Sequence, residues 1–155
     1  MKIYLKFFFL FGCFFFLTSY LFGQKSGQVT KFLPPSVETI IGTHTDSNKV
    51  STSEASQLIA LPLKIRDKNN RAYSIETYQF LYKRKGFIQN PETGKVETIF
   101  TTVAQRFDTT PLPKVWIDNI KEDLKSDEEF YFFDIIIKDQ SGRRFFAPSL
   151  KIFIQ

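Results

Sequence analysis

From Leu58 onward the chain is organised by a hydrophobic period of two, and that period is interrupted once. In "LIALPLKI" (58–65) Ile59, Leu61, Leu63 and Ile65 share one face and Ala60, Pro62 and Lys64 the other, the alternation of a half-buried strand. Pro62 has no backbone donor, which predicts a place at a sheet edge. "AYSIETYQFLYKRKGFI" (72–88) puts Tyr78, Phe80 and Tyr82 on a common face, and "VETIFTTVAQRF" (96–107) is rich in β-branched residues. Asn90-Pro91 and Gly94 supply turn chemistry between them, so the two segments predict a hairpin.

The interruption is "KVWIDNIKEDLKS" (114–126), where Trp116, Ile117, Ile120 and Leu124 recur at helical spacing with Lys121, Glu122, Asp123 and Lys125 opposite. Thr110 is a candidate cap. Alternation returns in "EFYFFDIIIKDQSGRRFFAPSLKIFI" (129–154). Tyr131, Phe133, Ile135 and Ile137 are expected on one strand face, and Phe146, Pro148, Leu150, Ile152 and Ile154 on one face of the next. Asp139 to Gly142 forms the turn. The fold class this implies is α+β, mainly β: an antiparallel sheet or sandwich of about five strands, with one short amphipathic helix before the last hairpin.

The N-terminus has a different character. Lys2 and Lys6 precede an apolar run of 16 residues, Phe7 to Phe22, which reads as a secretory signal peptide cleaved near Gly23. The run falls short of the roughly 20 residues of a spanning helix, so membrane contact is expected only through this segment if it stays uncleaved. "LFGC" (10–13) mimics a lipidation site, but the apolar run continues past Cys13, against that reading. Residues 24–57 are mainly Ser, Thr, Gly, Gln and Asn and read as a flexible tether. The organisation is therefore signal peptide 1–23, tether 24–57 and one β-rich domain 58–155.

Cys13 is the single cysteine, so the exported chain has no disulfide, thiolate nucleophile or cysteine metal site. Of the 21 Lys and Arg only Lys2 and Lys6 are lost with the signal, and none of the 16 Asp and Glu, which leaves a net charge of +3. That is too mild to point to nucleic acid. His44, the one histidine, sits in "GTHTDS" without partners at ligand spacing. No G-x-S-x-G, phosphate-binding glycine loop or HExxH is present. No cofactor, metal or catalytic residue is expected, and the reading is that of a non-enzyme.

Asp134, set among Phe and Ile, is the one residue that suggests chemistry, because a carboxylate in apolar surroundings can serve as an acid. No second carboxylate or His accompanies it. A structural role, with backbone donors or Arg143 or Arg144 as partners, is favoured. Two basic clusters, Lys83-Arg84-Lys85 and Arg143-Arg144, lie beside aromatic residues on the hairpins. They are candidates for partner binding, set against a role in preventing edge-to-edge association. An outward face carrying Phe130, Phe132 and Ile136 is the other candidate.

The order helix, strand, turn and closing strand over residues 72–155 resembles the C-terminal periplasmic domain of the gliding-motility and type IX secretion protein GldM (PorM). Phe132, Phe133, Asp134, Ile135, Gly142, Arg143 and Ile154 are the positions that fit its pattern. "FGQ" at the end of the signal is similar to Bacteroidetes envelope proteins. The resemblance implies a periplasmic scaffold without enzymatic activity that binds other envelope proteins, secretion or motility components among them. The alternative is a small periplasmic carrier holding an apolar ligand between helix and sheet.

Overall fold

Ser51 begins the first helix because its hydroxyl accepts a hydrogen bond from the backbone N–H of Glu54 at 3.2 Å. That helix, α1 (Thr52–Leu58), lies in a stretch expected to be a tether, and two strands precede it: β1 (Val37–Ile41) and β2 (Asn48–Val50). The computed structural model describes residues 31–45 and 47–155. The signal peptide, its cleavage site and residues 24–30 lie outside the described residues. Pro34 to Gln155 form one structural unit, so the domain begins well before Leu58. Apolar residues within the expected tether are core: Val37, Ile41, Val50 and Ala55 are all buried.

β3 (Leu63–Asp67) starts after Pro62, and "LIAL" ends helix α1 instead of opening a strand. β4 (Ala72–Gln89) and β5 (Val96–Phe107) form the expected hairpin, in unbroken antiparallel register from Tyr78–Phe107 to Gln89–Val96. α2 (Lys114–Glu122) follows, without a side-chain cap. Thr110 instead accepts a hydrogen bond from the Leu63 N–H at 2.7 Å. β6 (Glu129–Lys138), β7 (Arg144–Ala147) and β8 (Leu150–Ile154) complete the chain.

The architecture is mainly β, with eight strands and two helices among the described residues in place of about five strands and one helix. The main strand order is β1-β3-β4-β6-β8-β2, with β5 paired to β4 and β7 to β6. It is mixed, because β2 runs parallel to β8 while the other pairs are antiparallel.

Asp134 explains why the expected faces of β6 are wrong in its first half. Its φ is +47°, a left-handed conformation that Asp tolerates better than most residues, and the β4–β6 register shifts beside it. Between the pairs Thr77–Ile136 and Gln79–Phe133, Asp134 and Ile135 oppose the single residue Tyr78, a β-bulge. The inward alternation changes parity there: Phe130 and Phe132 are buried on one side, Ile135 and Ile137 on the other. The same phase change occurs in β4, where Glu76 is the extra residue, and at Pro148-Ser149 between β7 and β8. The bulges thus keep the apolar set on the core side where strict alternation would turn half of it to water. Phe80 anchors this core, with ring centroids 4.9 Å from Phe132, 5.9 Å from Phe130 and 5.9 Å from Trp116 of α2.

Candidate docking surface

The structure puts the residues singled out from sequence in different places. Phe130 and Phe132, expected on an outward face, are 0% and 2% exposed and belong to the core, because of the phase change at Asp134. A partner cannot reach them. Asp134 is 52% exposed at its side chain and accepts a hydrogen bond from Gln79 Nε2 at 2.7 Å, with Arg106 Nη2 at 3.9 Å. Its partners are on β4 and β5, not Arg143 or Arg144, and its work is to hold the bulge.

Lys83, Arg84 and Lys85 lie in the middle of β4 rather than at a hairpin tip. Arg84 is bound by Asp123, and Lys85 Nζ lies 2.7 Å from Asp127. Lys83 sits over the Phe100 ring, 4.8 Å from its centroid. The loop after α2 therefore neutralises much of this cluster. Lys125 and Arg84 together hold the Asp123 carboxyl below its ordinary pKa. Arg143 pairs with Asp139 at 2.7 Å and Arg144 with Glu76. Lys138 first and then Arg144 draw the Glu76 pKa down. Both basic clusters serve ion pairs within the chain. His44, expected to be solvated in the tether, contacts Glu54 Oε1 at 2.9 Å.

Glu128 is the residue that the pattern did not single out. It is 1% exposed and accepts from Tyr82 OH, from Lys85 N at 2.9 Å and from Lys125 N at 3.2 Å. Burial, and next the carboxylate it serves, push the Tyr82 pKa far above that of a free phenol. Three donors on two oxygens satisfy the charge, which makes Glu128 the clamp between the loop after α2 and the hairpin.

Beyond the Lys83–Glu129 pair β6 no longer accompanies β4. Residues 84–89 and their partners 96–101 continue as a two-stranded arm. Such a ribbon has little core of its own, and a lone hairpin is marginal in water. Phe87, Ile88, Val96 and Phe100 stand exposed on it. At its root, Tyr82, Arg84, Val103, Trp116, Asn119 and Ile120 line a cavity of about 250 Å³ between α2 and the hairpin.

On the uncovered side of the sheet, Tyr131 and Phe133 stack with centroids 4.9 Å apart and planes at 10°. Lys151 lies over the rings of Tyr131 at 4.6 Å and Phe153 at 5.6 Å. With Phe100 and Lys83 these make an aromatic and basic outer face, the role wrongly expected of Phe130 and Phe132. Among the described residues no helix is long and apolar enough to cross a membrane, and no group of three or more His, Cys, Asp or Glu could hold a metal ion. No known protein family and no curated protein matches the chain.

Proposed function

We propose that this chain is an exported, non-catalytic protein-binding module of the cell envelope, similar to the GldM C-terminal domain and working beside secretion or motility components. The observation that carries the proposal is the arm of the β4–β5 hairpin with the aromatic outer face at its base. Exposed Phe87, Ile88, Val96 and Phe100 on a ribbon outside the sheet are costly for a protein that works alone. An aromatic and cationic surface with polar surroundings suits a protein partner. In-cell crosslinking of a tagged copy in its native host, read by mass spectrometry, tests it. The expected result is capture of envelope proteins through the arm and the Tyr131–Phe133 face. Absence of envelope proteins, with no change on Phe87→Asp or Phe133→Asp, would defeat the proposal.

A second reading is a small carrier, favoured by the cavity between α2 and the hairpin. Its volume is slightly under the roughly 300 Å³ at which ligand pockets usually begin. Titration with the apolar dye 8-anilinonaphthalene-1-sulfonate, followed by quenching of Trp116, tests it. A flat titration with delipidated protein removes the carrier and leaves the docking module.

A further inference from the structure

We infer that the free edge of β5 is completed by β5 of a second copy of this chain, in an antiparallel register centred on Thr101. This rests on the edge of β5 and not on the envelope partner proposed above, which would use the exposed side chains of the arm and the aromatic face, so residues 96–101 belong to both surfaces.

Edge strands are ordinarily protected by proline, a bulge or charges placed along them. β5 has twelve residues, no proline and no break in its register with β4, and among the described residues it pairs with no other strand. Lys83 and Lys85 do not protect this edge, because they lie on β4, the inner strand. The only charges on β5 are Glu97 and Arg106, and Arg106 is already engaged by Asp134 and Thr77. The long, unbroken edge is therefore ready to accept a strand, and Phe100 and Val103 on it are 46% and 48% exposed.

The sequence of β5 selects the occupant. On the face shared with Tyr82 and Arg84 the residues run Glu97, Ile99, Thr101, Val103, Gln105, which is polar, apolar, threonine, apolar, polar: a palindrome about Thr101. Two antiparallel copies in one sheet are related by a two-fold axis normal to the sheet, so a residue must meet one of its own face. Centred on Thr101, Ile99 meets Val103 twice, Glu97 meets Gln105 twice, and Thr101 meets itself. On the other face Phe100 meets Thr102, Thr98 meets Ala104 and Val96 meets Arg106. No like charges oppose. Moving the centre to Thr102 sets Ile99 against Gln105, and moving it to Phe100 sets Glu97 against Val103, so both neighbouring registers lose the two Ile99–Val103 pairs and set an apolar side chain against a polar one on that face, whatever apolar contacts Phe100 makes on the other. In the favoured register Ile99 of the second copy also falls beside Val103, one wall of the cavity under α2.

The register can be read directly by crosslinking. In the full chain with Cys13→Ser, Thr101→Cys places two thiols opposite each other across the axis, with Cα atoms roughly 4.5–5.5 Å apart, inside the disulfide range. Oxidation should link Thr101→Cys to itself efficiently and Thr102→Cys poorly. By light scattering the parent chain should have twice the chain mass. Thr101→Glu, which faces Arg84 within its own hairpin but a second Glu across the axis, should halve that mass and leave Trp116 emission unchanged. A parent chain of single mass, a preferred link at position 102, or a Thr101→Glu variant that stays dimeric would each overturn the inference.

Discussion

Replacing Glu128 by Gln changes a single atom of the clamp and tests whether the buried carboxylate is a true acceptor for three donors. Its Oε1 takes the Lys85 N–H, and its Oε2 takes both the Lys125 N–H and the Tyr82 hydroxyl. An amide has one acceptor oxygen. If its NH2 replaces Oε1, the Lys85 N–H faces a donor; if it replaces Oε2, the Lys125 N–H does, although the Tyr82 oxygen can turn and accept. Either orientation strands one backbone N–H, at ~1–3 kcal/mol, and the bonds that survive lose their charge assistance. The neutral amide recovers part of the desolvation cost of the carboxylate, which leaves a net loss of ~2 kcal/mol. At roughly 3–5 °C per kcal/mol for a domain of this size, the midpoint should fall by roughly 6–10 °C.

Urea unfolding followed by Trp116 measures the loss in kcal/mol, and a thermal melt read by the same signal the shift in midpoint, since the chain has one Trp and its ring meets Phe80 and Phe107 edge-on. Tyr82→Phe should cost ~1–2 kcal/mol, and the double variant about 1 kcal/mol less than the sum, because both remove the same bond. A Glu128→Gln protein within about 0.5 kcal/mol of the parent would show that the three contacts do not hold the loop to the hairpin.

Phe132→Ala should cost ~3–5 kcal/mol by denaturation and Phe100→Ala under ~1 kcal/mol; the reverse order would take Phe132 out of the core. At Asp134, Asn should be nearly neutral, whereas Val, whose branched side chain fits φ +47° poorly, should lose more than ~1 kcal/mol in the same assay. The buried Tyr78 has its pKa raised to about 12 by burial. The unfolded phenol ionises near 10 and the folded one does not, so stability is complete below about pH 10 and declines as pH rises toward 12, by ~3 kcal/mol in all. Urea midpoints between pH 9 and 11.5 should show this slope in the parent and a weaker one in Tyr78→Phe.

The strands whose two faces differ in polarity could be read from the sequence: β4, β5 and β6 and helix α2 lie close to their expected bounds, and β5 matches them. What alternation could not reveal was a change of phase, since Asp134 in "YFFDIII" looks like a polar interruption, and nothing local says that it adds a residue to one strand only. The first part of the domain was hidden by composition. "STSEASQL" is Ser- and Thr-rich, yet Ser51 followed by Glu54 is the spacing of a capping box, and it marked α1. β2 is too short to show a period and Ile40 blurs that of β1, and they pair with β8 and β3. The sequence does not mark Glu128, because its burial comes from the loop after α2 folding against Tyr82, a contact 46 residues apart in sequence. The partner surface shifted for the same reason: which of two alternate aromatic sets faces water depends on the bulge.

β8 lies between β6 and β2 in the sheet, and Gln155 N–H donates to Val50 O at 2.9 Å. A strand near the start of the domain thus has its partner about a hundred residues later. β2 and α1 cannot dock before residues 150–154 exist, so a nascent copy has to wait, its apolar strands open to chaperones, until the final segment arrives. Folding is timed by the tail of the domain, and the Phe-rich β6 stays unsheltered on one edge until that moment.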